Sequence, residues 1–219
     1  MDADTLGFLL TKARLLIFDF DGTLADTSAI HARAFESVLS AHGVPVHYPS
    51  IAGMKTADAV RMCLQDSGVF LDVGKIEDLA RAKQNRARAA IEEELAALPG
   101  VDAFLRWARN HFRLSLCTSG SRLTVELALR KLGYEGMFDP VVCAEDVERA
   151  KPDPEGYLRV LEIARCNAEE ALAFEDSASG VAAARGAGIA VVCVDASIAG
   201  ADATTDWTAL YEARSGAAQ

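Results

Sequence analysis

The sequence lacks any apolar stretch near the roughly 20 consecutive residues that a membrane-spanning helix needs. Its N-terminal residues, Met1-Asp2-Ala3-Asp4, are acidic, whereas a secretory signal peptide begins with positive charge. Basic residues are too few to balance the acidic ones, and the net charge of −10 attracts neither a nucleic-acid backbone nor an anionic membrane. We therefore expect a cytoplasmic protein, a monomer or a homodimer, that binds neither nucleic acid nor membrane.

Cysteine and histidine are also scarce, and neither is spaced as a set of metal ligands. The five cysteines include no C-x-x-C pair, and the four histidines have no paired spacing with them, which argues against a zinc site. An odd number of widely spaced cysteines also argues against a disulfide framework. We interpret the cysteines as structural thiols in a reducing compartment, where they behave as small hydrophobic residues.

Apolar residues make up 51% of the sequence, which is enough to bury a substantial core. In the second half of the chain, short apolar runs typical of strands alternate with helical patterns. This alternation predicts a parallel sheet joined by crossover helices. The predicted strands are 15–18, 113–117, 140–143, 171–174 and 190–194, and the helices of this region are 101–110, 123–132, 154–166 and 177–186.

Three helical segments interrupt this pattern after the first predicted strand, at 25–42, 55–66 and 75–98. We predict an α/β fold with a Rossmann-like parallel sheet core, helices on both faces and an inserted α-helical cap. The core comprises residues 1–25 and 96–219, of which 214–219 are expected to fray, and the cap comprises residues 26–95. Ligands of open parallel sheets bind beyond the carboxyl ends of the strands. Because the insert leaves the core at that edge, we expect it to cover the ligand site.

The first predicted strand ends in two aspartates, Asp19 and Asp21, separated by Phe20. Side chains alternate along a strand, so both carboxylates point to the same side while Phe20 turns into the core. Two like charges this close are unfavourable unless a cation or a shared proton relieves the repulsion. The segment therefore predicts a metal site, a proton-transfer site, or both.

Three other predicted loops at this edge carry groups that suit a phosphate. Thr118-Ser119-Gly120-Ser121-Arg122 follows the second strand, Lys151 lies beyond the third, and Glu175-Asp176 follows the fourth. Each set alone is also typical of a helix cap or a solvated charge. Together they place hydroxyls, a lysine and carboxylates at one edge of the sheet, and such groups bind and activate a phosphoryl group.

Four segments resemble the ordered motifs of the haloacid dehalogenase-like hydrolases. They are DFDGTLADT at 19–27, CTSGSR at 117–122, AKPDP at 150–154 and FEDSASGVAAARGAGI at 174–189. Each motif alone is weak, but their order and spacing are specific, and the resemblance extends over residues 15–194. It points to the phosphatase and β-phosphoglucomutase branch of the family, in which a helical cap is inserted after the first motif.

The resemblance implies a role for each of these residues. Asp19 would be the nucleophile that forms an aspartyl-phosphate, Asp21 would protonate the leaving oxygen and then activate water, and Lys151 would neutralise the charge on Asp19 and the phosphoryl group. The Mg²⁺ ligands would be the carboxylates of Asp19, Glu175 and Asp176 and the backbone carbonyl of Asp21. The substrate would be bound at the second motif by Thr118, Ser119, Gly120 and Arg122, with Thr118 also belonging to the catalytic set.

The resemblance further implies a small phosphorylated metabolite as the substrate. The candidate ligands for it in the cap are His31, Lys55 and Lys83. The mutase pattern has an arginine where this chain has Thr56, and without that cation a second phosphate would be held poorly. We therefore predict a Mg²⁺-dependent phosphatase of a sugar or polyol phosphate, with a β-phosphoglucomutase-like phosphosugar mutase as the alternative.

Asp21 also separates this chain from other branches of the family. Dehalogenases and phosphonoacetaldehyde hydrolases lack this second aspartate, so its presence argues against both activities. A non-catalytic protein that had kept the fold for binding alone is expected to have lost a nucleophile, an acid or a metal ligand, and none is missing from this sequence.

Overall fold

A six-stranded parallel sheet forms the centre of the molecule in the computed structural model, which describes residues 3–195 and 198–213. The strands are β1 (Leu15–Phe18), β2 (Arg113–Cys117), β3 (Val141–Val142), β4 (Ala171–Glu175), β5 (Ala190–Cys193) and β6 (Ala203–Thr204), in the spatial order β3-β2-β1-β4-β5-β6. Phe18 at the end of β1 pairs with Leu116 of β2 and Phe174 of β4. The carboxyl ends of these three strands therefore lie side by side.

Helices cover both faces of the sheet, which confirms the predicted α/β fold. The helices are α1 (Ala3–Lys12), α2 (Ser28–Leu39), α3 (Thr56–Asp66), α4 (Val73–Glu94), α5 (Val101–Ala108), α6 (Arg122–Leu132), α7 (Glu155–Ala164), α8 (Ala178–Gly186) and α9 (Trp207–Ala213). Leu16 and Phe18 of β1 pack in the apolar cluster that includes α1, α5, α6 and α9. Leu15 and Ile17 pack in the cluster that includes α7 and α8, because successive side chains of a strand point to opposite faces.

The segment between β1 and β2 contains a helical insert, which we define as residues 28–94. Helices α2 and α3 both pack against α4. Their apolar faces form a separate cluster around Phe35, Leu39 and Leu64. Ile91 of α4 belongs instead to the main core, so the insert is joined to the core by direct packing. The role of this insert as a separate cap domain stays a prediction.

Several boundaries differ from the predicted ones for local reasons. The first helix of the insert begins at Ser28 and ends at Leu39, where a 3-10 turn takes over. Helix α4 ends at Glu94 because Leu95 has extended backbone angles, φ −62° and ψ 131°. The sequence analysis missed α1, β6 and α9, because their apolar patterns are too short to be distinguished from those of loops. The predicted fraying of residues 214–219 lies outside the described residues.

Two predictions from composition also have structural counterparts. None of the described helices is long and apolar enough to cross a membrane. All five cysteines are free thiols, and four of them are buried, as expected for small hydrophobic residues. The oligomeric state and the cytoplasmic location stay predictions.

Trp207 at the start of α9 ties the end of the described chain to the loop after β1. Its indole ring lies 6.0 Å from the ring of Phe18, 5.2 Å from that of Phe104 and 5.4 Å from that of Phe174, measured between ring centroids. Its Nε1–H donates a hydrogen bond of 2.7 Å to the carbonyl oxygen of Thr23. Thr23 is fully buried and belongs to the first motif, so this contact fixes the loop that carries Asp21.

Replacing Trp207 by Phe keeps an aromatic ring in the core but removes the donor to the buried Thr23 carbonyl. We expect Trp207→Phe to lower the free energy of unfolding by about 1–3 kcal/mol, the usual effect of leaving a buried acceptor without its partner. Urea unfolding measures this change. The control is Trp107→Phe, at a half-buried position of α5, and an equal loss in both variants would contradict the role of the Thr23 contact.

Candidate active site

The carboxyl ends of β1, β2 and β4 bring the motif residues to one edge of the sheet. Asp19 directly follows β1, Thr118 directly follows β2, and Glu175 is the last residue of β4. All three side chains are buried. This is the edge at which ligands of open parallel sheets bind.

Lys151 joins two of these carboxylates in one buried ion pair. Its Nζ lies 2.6 Å from Asp19 Oδ1 and 2.5 Å from Glu175 Oε1, and it also donates to the carbonyl oxygen of Cys117 at 3.0 Å. Burial disfavours the ammonium, but Asp19 and Glu175 outweigh it and raise the pKa of Lys151 well above its usual value. Lys151 is therefore a permanent cation beside Asp19.

The carboxylates of Asp19, Glu175 and Asp176 form a group that fits a divalent cation. One oxygen from each lies within 4.8 Å of the others. Burial and the charge of Glu175 raise the pKa of Asp176 to about 7, and burial raises the pKa of Asp19 against the opposing effect of Lys151. Carboxylates that repel one another in this way are stabilised by a cation, and an all-oxygen donor set suits Mg²⁺.

Two glycines allow the backbone to approach these carboxylates closely. A Cβ atom on Gly22 would lie 2.0 Å from Asp176 Oδ2, and Gly22 also has a φ of +83°. A Cβ atom on Gly180 of α8 would lie 2.0 Å from Glu175 Oε2. Any larger residue at either position would displace one of the acidic side chains.

Asp21 is directed away from the acidic group and toward two basic residues of the insert. Its Oδ1 lies 3.1 Å from His31 Nε2, and His31 Nδ1 lies 3.0 Å from Lys83 Nζ. Asp21, His31 and Lys83 therefore form one continuous chain of polar contacts. Burial alone would raise the pKa of Asp21, but its interaction with His31 lowers the pKa to about 2.

Lys83 is itself buried on the inner side of α4. Burial lowers its pKa to about 8 against the opposing effect of Asp21. Its Nζ also lies 4.4 Å above the ring centroid of Phe35. The ammonium is thus committed to His31 and to an aromatic face.

Two neighbouring cavities that share lining residues lie between the sheet edge and the insert. The inner cavity, of about 40 Å³, is lined by Asp19, Lys151 and Asp176. The outer cavity, of about 50 Å³, is lined by both polar and apolar side chains of the core and the insert. Asp21 and Ser119 line both cavities, so a group that spans the two would pass beside Asp21.

The structure brings together most of the residues that the sequence analysis singled out. Asp19, Asp21, Ser119 and Lys151 line the inner cavity, while Asp21, His31, Lys83, Ser119 and Gly120 line the outer one. Thr118 is buried and its Oγ1 accepts a hydrogen bond of 3.0 Å from the Gly120 amide. This contact shapes the loop that presents Ser119 and Gly120 to the cavities.

Two predicted substrate ligands lie outside these cavities. Lys55 donates from Nζ to the carbonyl oxygen of Val147 at 2.7 Å, so it connects the insert to the core. Arg122, the first residue of α6, forms an ion pair with Asp146. Both side chains find partners on the polypeptide itself, which the sequence pattern did not indicate.

Two tyrosines at the site were missed by the sequence analysis. The hydroxyl of Tyr157, a fully buried residue of α7, donates to Glu175 Oε1 at 2.7 Å. Tyr48 comes from the insert and lines both cavities, and burial together with the nearby charges of Asp21 and Asp176 raises its pKa, so it remains a neutral phenol. A buried tyrosine usually has a hydrogen-bond partner, but the sequence alone does not identify that partner.

Comparison with known proteins agrees with this geometry. The model of the haloacid dehalogenase-like hydrolase family matches residues 16–194. A phosphorylated carbohydrates phosphatase of Thermotoga maritima is 32% identical over 80% of this chain and 81% of its own length. The fructose-1-phosphate phosphatase YqaB of Escherichia coli is 30% identical over 82% of this chain and 95% of its own length.

Solved structures show the same fold. The crystal structure of CbbY from Rhodobacter sphaeroides in complex with xylulose-1,5-bisphosphate superimposes with a TM-score of 0.80 at 29% identity, covering 88% of this chain and 93% of that one. With its fold, its site and the family match in agreement, the chain belongs to the haloacid dehalogenase-like hydrolases.

The contact between Tyr157 and Glu175 leads to a prediction about metal binding. Tyr157→Phe keeps the buried ring and removes only the hydroxyl that holds Glu175 Oε1. We expect the affinity for Mg²⁺ to fall by about 10–100-fold, as is typical when a partner of a metal ligand is lost. Titration with Mn²⁺, followed by the loss of the free-ion EPR signal, measures the binding without relying on activity.

The matched control is Tyr134→Phe, because Tyr134 is also buried and donates to a carboxylate, Asp102, away from the site. We expect this variant to bind the metal as the unaltered protein does. Equal metal affinity in the Tyr157 variant and the unaltered protein would contradict the role given to Tyr157.

Proposed function

We propose that this chain is a Mg²⁺-dependent phosphatase that hydrolyses a small sugar or polyol phosphate through an aspartyl-phosphate on Asp19. The observation that carries the proposal is the buried ion pair of Lys151 with Asp19 and Glu175, beside an all-oxygen group of carboxylates. A carboxylate nucleophile, a fixed cation and oxygen donors for a metal are the groups that phosphoryl transfer needs. The chain is a phosphoric monoester hydrolase, in keeping with its family and with the phosphatases among its relatives.

In the first step, Asp19 attacks the phosphorus atom of the substrate with Oδ2, since Oδ1 accepts the hydrogen bond from Lys151. The bond from phosphorus to the ester oxygen breaks, and that oxygen takes a proton from Asp21. The negative charge of a bound phosphoryl group raises the pKa of a neighbouring carboxyl, which brings Asp21 toward the protonated form. Lys151 offsets the charge that develops on the phosphoryl oxygens.

In the second step, Asp21 is a carboxylate and takes a proton from a water molecule that attacks phosphorus. The bond between phosphorus and Asp19 breaks, which releases inorganic phosphate and restores the nucleophile. His31 points its Nε2 at Asp21 Oδ1 in both steps. It thereby holds the Asp21 carboxylate where the two cavities meet.

The proposed metal ligands are the carboxylates of Asp19, Glu175 and Asp176, with the backbone carbonyl of Asp21 as a further donor. When bound, Mg²⁺ would supply Lewis-acid stabilisation of the phosphoryl oxygens. The donors are hard oxygens without a thiolate or an imidazole, which favours Mg²⁺ over zinc.

The outer cavity supports water rather than a second sugar phosphate as the acceptor. A mutase has to hold its bisphosphate intermediate by the second phosphate, for which a bidentate arginine is best suited. No arginine is among the residues that line the outer cavity in the part of the chain that the structure describes. This favours the phosphatase over the mutase.

Metal removal tests the proposal directly. After exhaustive treatment with a chelator, we expect release of inorganic phosphate from fructose 1-phosphate or glycerol 3-phosphate to stop, and to return with Mg²⁺ but not with Zn²⁺. Phosphate is measured colorimetrically as it forms. Full activity in the metal-free protein would refute the metal site. Isomerisation of β-glucose 1-phosphate at a higher rate than phosphate release would favour the mutase.

A further inference from the structure

The outer cavity is poor in available positive charge. Its basic residues are His31 and Lys83, and they form one chain that ends at Asp21. His31 contacts both Asp21 and Lys83, and the Lys83 ammonium also lies over the face of Phe35. Both groups are thus already engaged by partners on the protein.

The other candidate cations are held away from this cavity. Arg122 is paired with Asp146, and Lys55 donates to the carbonyl oxygens of Val147 and Glu148 at 2.7 and 3.4 Å. Both contacts are made by the charged ends of the side chains. Moving either cation into the outer cavity would leave a carboxylate or two carbonyl groups without their partner.

Neutral hydrogen-bonding groups provide the polar surface of the outer cavity instead. They are Thr56 and Gln84 from the insert and Ser121 and Thr124 from the core. Hydroxyl and amide groups both donate and accept, which matches the hydroxyl groups of an uncharged polyol or sugar. An additional phosphate or carboxylate in the same place would be desolvated with no cation other than Lys83, which already contacts His31, and would lie near the carboxylate of Asp21.

We propose that this enzyme selects phosphate monoesters whose leaving group is uncharged and hydroxylated, and that it rejects those that carry a second phosphate or a carboxylate. The inference rests on the proposed phosphatase function and deepens it. Lys151 and the metal site serve the phosphoryl group that is transferred, and the outer cavity offers nothing equivalent to a second anion. The chain would thus differ in preference from its structural neighbour CbbY, which was crystallised with xylulose-1,5-bisphosphate.

Matched substrate pairs test this selection, because the second member of each pair carries an additional anionic group. The pairs are glycerol 3-phosphate with 3-phosphoglycerate, glucose 6-phosphate with 6-phosphogluconate, and fructose 1-phosphate with fructose 1,6-bisphosphate. For each pair with a member that the enzyme hydrolyses, we expect kcat/KM to be at least about 100-fold higher for the ester whose leaving group is uncharged. The reason is that a binding site strongly rejects a buried charge without a partner. Equal or better hydrolysis of the anionic members would overturn the inference.

The same assay separates failure of the inference from failure of the proposed function. If the enzyme hydrolyses p-nitrophenyl phosphate and the anionic esters but not the neutral ones, the proposed selection is overturned while the phosphatase function stands. No phosphate release from any of these compounds in the presence of Mg²⁺ would overturn the proposed function and the inference with it.

A variant that adds a cation tests the cause of the selection. Gln84→Arg introduces a guanidinium beside Lys83 on the cavity wall, and Gln84→Met is a control of similar length without charge. We expect the ratio of kcat/KM for the anionic member over the neutral one to rise by at least about tenfold in the arginine variant only. If Gln84→Arg is not folded by circular dichroism, Thr56→Arg serves the same purpose, and an unchanged ratio in a folded arginine variant would overturn the inference.

Discussion

Lys151 neutralises two buried carboxylates, and the other groups of the site are arranged around that ion pair. Asp19 and Glu175 come from neighbouring strands, both are buried, and either would be unfavourable there as an isolated charge. The ammonium contacts one oxygen of each carboxylate. Under the proposed function, the second oxygen of Asp19 is the nucleophile and that of Glu175 is a ligand of the metal.

The residues that support this arrangement lie in distant parts of the chain. Tyr157 shares Glu175 Oε1 with Lys151, Gly180 leaves room for the same carboxylate, and Trp207 holds the loop of the first motif through the Thr23 carbonyl. None of them is proposed to touch the substrate. Their contacts hold the acidic side chains and the loop of the first motif in place.

The helical insert supplies the two basic residues whose chain of contacts ends at Asp21. His31 and Lys83 come from two different helices of the insert, while Asp21 comes from the core. The side chain of Asp21, the proposed proton-transfer group, is thus contacted by the insert as well as by the core. Lys55 also joins the insert to the core, through its hydrogen bond to the Val147 carbonyl.

Five of the six strands and the motif residues at their ends could be predicted because both depend on local patterns. The apolar run before Asp19 has the length and content of a buried strand, and parallel strands bring their carboxyl ends together. The partners of Lys55 and Arg122 could not be derived, because a long charged side chain reaches backbone or carboxyl groups that are far away in sequence. Helix α9 was missed for a related reason. Its apolar pattern is short, and its position depends on the aromatic cluster into which Trp207 packs.

The most direct test of the account is to trap the phosphorylated enzyme. The protein is mixed with a ³²P-labelled substrate and Mg²⁺ and quenched rapidly in acid. One half of the sample is digested at low pH to locate the label, and the other half is reduced with borohydride, which expels the phosphate, and is mapped by mass spectrometry. The account predicts that the label is on the peptide containing Asp19, that borohydride converts this residue to homoserine, and that Asp19→Asn traps no label. Label on a different residue, or steady turnover without any covalent phosphoenzyme, would contradict the assignment of Asp19 as the nucleophile.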